Sequence, residues 1–258
     1  SSTITSFSRF MLGTIVIGGY LIYKKQSLKP NNYKTVLMRA ILNIMTITLL
    51  SWAVNYTTVT NANMLNELFP LFVVIFARFI TKEKIKKSMY VYLFLVVIGI
   101  YLITDPSFTN INLGDMAALI TALTSATSIF ALKEAIKYDY ANVIVFNVML
   151  FGLLLVFPLV YDDLLNFEVA ALIPTILSAA SGILAMLMQT WSYKTIDAPT
   201  GSLISSSIII ISALIDYFLL SEPLYFIEII GIILVTVALI GVSGYFERFA
   251  KQRKRKNA

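Results

Sequence analysis

Apolar residues along this chain form nine long runs that are separated by short polar connections. Each run is long enough for an α-helix to cross the hydrocarbon layer of a bilayer, which is roughly 30 Å thick. Because a helix satisfies its own backbone hydrogen bonds in lipid, each run predicts one transmembrane helix. The predicted spans are Ser6–Tyr23, Val36–Val59, Met64–Ile80, Met89–Ile103, Gly114–Ile136, Ala141–Tyr161, Ala170–Tyr193, Gly201–Leu220 and Tyr225–Tyr245.

Composition indicates the class of protein. Hydrophobic residues make up 58% of the chain and charged residues 13%, which is far more apolar than a water-soluble domain. The chain has no cysteine and no histidine, which excludes disulfides, thiol nucleophiles, the usual zinc sites and histidine bases. We therefore expect an all-α integral membrane protein that is not an enzyme and uses no metal or cofactor.

Basic residues cluster at alternate ends of the spans, from Lys24–Lys34 to a tail over residues 247–258. The opposite ends carry acidic residues and, of the basic residues, only Arg9. By the positive-inside rule, the lysine-rich loops and the C-terminus are cytoplasmic. The tail is too short for a nucleic-acid arm, so the expected partners are the lipid bilayer and a small-molecule substrate, without nucleic acid. The predicted location is the cell membrane, or the inner membrane of a bacterium, as a monomer or homodimer.

The two halves of the chain match at an offset of 139 residues. The match includes both tryptophans of the chain, and the charge pattern predicts that the two copies enter the membrane from opposite sides. Inverted repeats of this kind build transporters whose site lies near the bilayer midplane. The matched pairs are Phe7 with Phe146, Gly13 with Gly152, Trp52 with Trp191 and Glu83 with Glu222.

The repeat predicts the domain organisation. Residues 1–106 form the first copy, residues 107–246 the second, inverted copy, and residues 247–258 the basic cytoplasmic tail. The second copy begins with the span Gly114–Ile136, whose counterpart would precede Ser1. We therefore expect ten spans in the complete protein, five in each copy, with the first of them missing from this chain.

Several short motifs occur together in an order typical of one family. They are Ser8–Arg9–Phe10, Leu37–Met38–Arg39–Ala40, Asn66–Glu67–Leu68–Phe69–Pro70–Leu71–Phe72, and Ser221–Glu222–Pro223–Leu224 followed by Gly231. They resemble the EamA-type branch of the drug/metabolite transporter (DMT) superfamily over essentially the whole chain. The resemblance implies a ten-helix basket in which the first four helices of each repeat line the substrate cavity and the fifth helices are peripheral.

Glu67 is the strongest candidate for a functional residue within the spans. A carboxylate inside the membrane costs several kcal/mol unless it is paired, protonated or hydrated. Glu67 therefore binds a proton or a substrate amine, forms a structural ion pair with Arg9 or Arg39, or lies at the outer interface. Pro70 is predicted to free a backbone carbonyl near Glu67 for use as a further ligand.

Aromatic and amide side chains complete the candidate set. The two tryptophans, with tyrosines nearby, are suited to stacking on a planar or cationic substrate, and equally to the aromatic belt at the interface. Amides suit either a polar solute or hydrogen bonds between helices. Asp216, near an outer membrane end, is expected to be structural. The candidate substrate-binding residues are Glu67, Trp52, Tyr56, Asn55, Asn66, Arg9, Arg39, Asn147, Gln189, Trp191 and Tyr193.

These observations predict a multi-pass secondary transporter for a small polar metabolite, such as an amino acid, an amine or a nucleoside-like compound. Transport is expected to proceed by alternating access, either coupled to protons or by exchange. A facilitative channel or a membrane scaffold is the alternative. A membrane enzyme agrees least with the sequence, because no nucleophile or metal constellation is present.

Overall fold

The computed structural model describes residues 2–80, 85–106, 111–165, 172–219 and 223–244. Within these ranges every regular element is an α-helix, which confirms the predicted fold class. Glu83, Glu222 and the predicted tail at 247–258 lie outside the described residues. The helices are α1 Ser2–Tyr23, α2 Tyr33–Ala53, α3 Val59–Asn66, α4 Phe69–Ile80, α5 Lys87–Thr104, α6 Leu113–Ala135, α7 Ala141–Leu165, α8 Leu172–Ser192, α9 Ala198–Ser205, α10 Ser207–Leu219 and α11 Phe226–Val242.

Eight helical segments of the described chain are long and apolar enough to cross a membrane. Two of them are interrupted, because α3 and α4 share the segment Val59–Ile80 and α9 and α10 share Ala198–Leu219. The ninth predicted span corresponds to α11, a shorter apolar helix of 17 residues. The protein is therefore a multi-pass membrane protein, whereas a total of ten spans stays a prediction.

The second span is shorter than the sequence predicts. α2 ends at Ala53, so Asn55 and Tyr56 lie in the connection to α3 and not in a helix. The backbone turns there because the amides of Tyr56 and Thr57 both donate to the carbonyl of Ala53, at 2.9 and 3.0 Å. Gly114 of α6 packs on this turn, since a Cβ at position 114 would lie 2.7 Å from the Ala53 oxygen. The predicted span Val36–Val59 therefore extends too far at its C-terminal end.

Helix bounds recur at the offset of 139 residues found in the sequence. α2 (Tyr33–Ala53) corresponds residue for residue to α8 (Leu172–Ser192), and α3 (Val59–Asn66) to α9 (Ala198–Ser205). α1, α4 and α5 correspond in the same way to α7, α10 and α11, apart from small differences at their ends.

The repeat-equivalent helices α1 and α7 pack against each other in opposite directions. A Cβ on Gly13 would lie 2.9 Å from the sulfur of Met149, and a Cβ on Gly152 would lie 2.8 Å from Cγ of Phe10. These two contacts are equivalent under the repeat, because position 10 corresponds to 149 and position 13 to 152. Since the later residue of α1 meets the earlier residue of α7, the helices are antiparallel, as an inverted repeat requires.

The other repeat-equivalent pair, α5 and α11, is also antiparallel and meets at two glycines. A Cβ on Gly99 would lie 2.9 Å from the Gly231 oxygen, and a Cβ on Gly231 would lie 2.8 Å from the Gly99 oxygen. In lipid, small residues let helix backbones approach closely, which gives these helices more van der Waals contact.

Contacts divide the chain into two compact units. The first unit contains Ser1–Trp52 and Thr127–Ile196, and the second contains Ala53–Ala126 and Asp197–Ala258. The core of the first unit is formed mainly by α1 and α7, and that of the second by α5 together with residues of α3, α4, α9 and α11. Each unit combines helices of both halves of the sequence. The division into repeats at 1–106 and 107–246 stays a prediction from the sequence.

Candidate functional site

A helix break lies at Glu67, in the middle of the third span. α3 begins at Val59, where the Thr58 hydroxyl accepts a hydrogen bond from the amide of Asn61 at 3.1 Å. The helix ends at Asn66, and the Glu67 amide still donates to the Asn63 carbonyl at 2.8 Å. α4 then begins at Phe69 with Pro70 as its second residue, where a missing N–H costs nothing.

This break corrects two expectations. The span predicted as one helix over Met64–Ile80 lies in two helices, α3 and α4. Proline frees no carbonyl inside a helix here, because it stands in the first turn of a new one. The hydropathy pattern gave no sign of the break, since the residues after it are apolar.

The same break occurs at the equivalent place in the second half. α9 begins after Asp197, whose carboxylate accepts a hydrogen bond from the amide of Thr200 at 3.0 Å. The helix ends at Ser205, and Ser206 occupies the position that Glu67 holds in the first half. Paired interruptions at corresponding positions of two repeats are the best indication of a transporter binding site.

Both break residues carry a buried side-chain oxygen that has no hydrogen-bond partner among the described residues. These atoms are Oε2 of Glu67 and Oγ of Ser206. Leaving a buried polar atom unpaired costs about 1–3 kcal/mol, and more for a charged group. Within the described part of its unit, Glu67 also has no ion pair; a pair with Arg9 or Arg39, which belong to the other unit, stays a prediction.

Glu67 lines a cavity in the second unit, called the larger cavity because it exceeds a second cavity in volume. This larger cavity has a volume of about 650 Å³ and is bounded by α3, the end of α5, α10 and the start of α11. Because α5 and α11 are the fifth spans of the two predicted copies, this lining differs from the expectation that the fifth helices are peripheral. Its lining includes the carboxylates of Glu67, Asp216 and Glu228. The remaining lining residues are Thr60, Asn63, Ile103, Thr104, Ile208, Ile209, Ser212, Ala213, Tyr217, Pro223, Leu224 and Tyr225.

A smaller cavity of about 220 Å³ lies at the opposite end of the α5–α11 pair. It is lined by the start of α5, the end of α11 and the start of α9. The two cavities are therefore repeat equivalents of unequal size. Five lining positions correspond at the offset of 139, namely Thr60 with Pro199, Ile103 with Val242, Leu224 with Ile85, Tyr225 with Lys86, and Glu228 with Met89.

Arg39 and Gln189, both predicted site residues, meet in the first unit. Nη2 of Arg39 donates to Oε1 of Gln189 at 3.2 Å, and Nη1 donates to the hydroxyl of Ser128 at 2.6 Å. The Arg39 side chain is buried, its Nε has no partner, and no described carboxylate of its unit forms an ion pair with it. Ser128 was not among the predicted site residues, because only the fold brings it to Arg39.

Arg9 and Asn147 also lie in the first unit. Arg9 packs against Gly182, since a Cβ on this glycine would lie 2.8 Å from the guanidinium carbon, and its buried Nε lacks a partner in the described chain. Asn147 is buried and donates to the carbonyls of Leu28 and Val143, both at 2.9 Å. These bonds give Asn147 a structural role, one of the two that its sequence context allows.

The aromatic candidates of the first unit differ in exposure. Trp52 and Trp191 each stand next to the last residue of their helix, with 40% and 51% of their surface exposed. Tyr193 is buried, and its backbone carbonyl accepts a hydrogen bond from Nζ of Lys133 at 2.8 Å. Lys133 also donates to the carbonyl of Ile196 at 2.8 Å, so it satisfies two carbonyls beyond the end of α8.

Asn66, Asn55 and Tyr56 lie in the second unit with Glu67. Oδ1 of Asn66 accepts a hydrogen bond from the Thr121 hydroxyl of α6 at 3.0 Å. Asn55 and Tyr56 belong to the connection before α3 and do not line either cavity. Of the predicted candidates, Glu67 alone lines the larger cavity.

Several residues of the larger cavity were missed by the sequence reasoning. Asp216 was assigned a structural role, and Ser212, Tyr225 and Glu228 were not proposed as site residues. The offset of 139 residues could have indicated Ser206, because it makes this serine the repeat equivalent of Glu67. The cavity itself depends on how four helices pack, which no local pattern of the sequence encodes.

Comparison with known proteins agrees with this architecture. The sequence profile of the EamA-like transporter family matches residues 1–105 and 112–244. The chain is 23% identical over 243 residues to the pseudopaline exporter CntI of Pseudomonas aeruginosa, with 92% of this chain and 84% of that protein covered. It is 24% identical over 271 residues to the uncharacterized transporter YetK of Bacillus subtilis, with 97% and 79% covered.

A solved crystal structure supports the fold. It superposes on this chain with a TM-score of 0.80 at 14% identity, with 96% of this chain and 88% of that chain covered. At this identity the likeness concerns the fold alone. The family profile covers nearly the whole chain, and both relatives are named as transporters, so the function is membrane transport. The chain belongs to the EamA-like transporter family.

Proposed function

We propose that this protein is a secondary carrier that moves a small polar metabolite across the cell membrane by alternating access. The observation that carries the proposal is the pair of repeat-equivalent cavities with volumes of about 650 and 220 Å³. In an inverted repeat, the two copies can exchange conformations, and the wide cavity then becomes narrow while the narrow one widens. The unequal volumes are what one state of such a cycle requires.

Glu67 is the group that we propose responds to the solute. The buried Oε2 of Glu67 lacks a hydrogen-bond partner in the described chain, and Glu67 lines the larger cavity. A bound proton or a substrate amine would satisfy this oxygen, so that an empty and a loaded carrier differ in the charge at the helix break. Because of this difference in charge, the solute can bind one conformation of the carrier more tightly than the other. A ligand can drive a conformational change only if its affinities for the two conformations differ.

The solute class that we propose is an amino acid, an amine, a nucleoside-like compound or a related metabolite. The cavity lining combines carboxylates, hydroxyls and tyrosines, which suits polar compounds of this size. That one relative is named an exporter supports transport of a solute by this chain as well. We place the C-terminus in the cytoplasm, on the basis of the positive-inside rule.

A screen followed by counterflow tests the proposal. Purified protein is first tested for thermal stabilisation by a panel of these metabolites, because a ligand that binds the folded state raises the unfolding midpoint. Vesicles preloaded with a stabilising compound should then take up the labelled compound faster than empty vesicles. Equal uptake by preloaded and empty vesicles contradicts a carrier and favours the facilitative channel.

A further inference from the structure

The three carboxylates of the larger cavity come from three different helices. Glu67 follows α3, Asp216 belongs to α10 and Glu228 to α11. No lysine or arginine of the described chain lines this cavity. An apolar surrounding strengthens the electrostatic field of such groups, and a cleft lined by one sign of charge concentrates ions of the opposite sign.

This acidity is specific to one half of the protein and does not follow from the fold. The repeat equivalents of Glu67, Asp216 and Glu228 are Ser206, Ala77 and Met89, none of which is charged. The smaller cavity is instead lined by one base, Lys86, and one acid, Asp197. The charges of this site therefore balance, whereas the larger cavity is negative.

Two observations at the larger cavity support the binding of a ligand there. Oε2 of Glu67 is buried and has no hydrogen-bond partner among the described residues, so no side chain of the described chain neutralises it. Tyr217 and Tyr225 also line the cavity, and tyrosine rings attract cations through their π faces. Glu228 is partly engaged, since its Oε2 accepts a hydrogen bond from the Tyr225 amide at 3.2 Å.

We propose that the larger cavity binds small organic cations, so that the transported solute carries a protonated or quaternary amine. This inference rests on the proposed carrier function and specifies its substrate class. A cation in the cavity would lie beside Glu67 and offset the negative charge of its carboxylate. Solutes with a net negative charge would be repelled by the same groups.

The cysteine-free chain allows a direct test with single-cysteine variants. Ser212→Cys places a thiol in the larger cavity, and Ser88→Cys places one in the smaller cavity as a matched control. Each variant is labelled with a cationic and an anionic methanethiosulfonate of similar size. The reacting thiolate is itself an anion and favours the cationic reagent at any position, so the ratio of the two rates at position 88 serves as the reference. We expect the ratio of cationic to anionic labelling at position 212 to exceed the ratio at position 88 by a factor of about ten or more.

Asp216→Asn in the Ser212→Cys background should lower this ratio several-fold, because it removes one of the charges. In the same background, butylammonium chloride should slow the labelling of the thiol, whereas sodium butyrate at equal concentration should not. A ratio at position 212 that is no higher than the ratio at position 88 overturns the inference, and so does equal protection, or none, by the two salts.

The outcome is distinguishable from that of the carrier proposal. Counterflow of an anionic solute would support the carrier proposal and refute the inference that the substrate is a cation. Cation-selective labelling without counterflow of any stabilising compound would support the charge of the cavity and refute the carrier.

Discussion

The glycine contact between α5 and α11 provides a prediction that can be worked from the structure. In Gly231→Ala, the added Cβ would lie 2.8 Å from the Gly99 oxygen and 3.1 Å from the Ile103 nitrogen. Both neighbours are backbone atoms of the facing helix, so α5 and α11 must separate to admit the methyl group. We expect Gly231→Ala to destabilise the protein.

Gly19→Ala is the matched control, because a Cβ at position 19 meets nothing within 4 Å. Both glycines lie inside a helix, so both substitutions gain the same helix propensity, about 0.5–1 kcal/mol. That gain cancels in the comparison, and the difference between the variants measures the cost of overpacking, which is about 1–3 kcal/mol.

Thermal unfolding in detergent, followed by circular dichroism, measures this difference. With a shift of about 2–4 °C per kcal/mol for a chain of this size, Gly231→Ala should unfold roughly 2–12 °C below Gly19→Ala. Gly99→Ala should behave like Gly231→Ala, since its Cβ would lie 2.9 Å from the Gly231 oxygen. Equal midpoints for Gly231→Ala and Gly19→Ala would refute the close backbone contact.

Three further substitutions test the buried polar groups. Glu67→Gln should reduce counterflow by about tenfold or more, because one charge-assisted contact with the solute is lost. The unfolding midpoint of this variant should stay equal or rise. An unchanged counterflow rate contradicts the proposed role of Glu67. Asn147→Ala should lower the free energy of unfolding by about 1–3 kcal/mol in a denaturation titration, because the Leu28 carbonyl loses its donor. Lys133→Met should lower the unfolding midpoint because it leaves two carbonyls beyond α8 unpaired, and a retained midpoint would show that water satisfies them.

Much of the fold could be predicted because lipid imposes simple demands on a sequence. Each span must be apolar over its length, and its backbone must be paired internally, so hydropathy alone locates the helices. The repeat predicted that the two copies have opposite orientations, and the antiparallel packing of α1 on α7, in which Gly13 and Gly152 take equivalent places, agrees with this. Helix ends were less predictable, as α2 shows: it ends early at Ala53, in a turn on which Gly114 of α6 packs.

The helix breaks could not be predicted from hydropathy, because the residues on both sides of each break belong to a membrane span and are therefore apolar. Local signals existed only for the beginnings of α3 and α9, in the caps Thr58 and Asp197, which are repeat equivalents with side chains that bind backbone amides. These caps do not indicate the breaks at which the two helices end. The acid at position 67 and the serine at position 206 mark where each helix ends.

The site was only partly predictable. Glu67 was identified because an intramembrane carboxylate is costly wherever it lies. The partners of Arg39 could not be predicted, since Ser128 and Gln189 are far from it in sequence and meet it only in the folded unit. The residues that share the cavity with Glu67 depend equally on packing, so Asp216 and Glu228 appeared as ordinary residues near membrane ends.

The most direct test of alternating access uses both cavities in one molecule. The double variant Ser212→Cys and Ser88→Cys is reconstituted in vesicles, and a bulky impermeant maleimide is applied first to the face at which the larger cavity opens. The vesicles are then permeabilised, and labelling of the thiol at position 88 is timed with a small reagent. If the cavities open alternately, the maleimide attached at position 212 should hold the larger cavity open. It should then slow the labelling at position 88 by about tenfold or more, relative to the single variant Ser88→Cys. An unchanged rate would mean that the two cavities open independently, which contradicts the carrier.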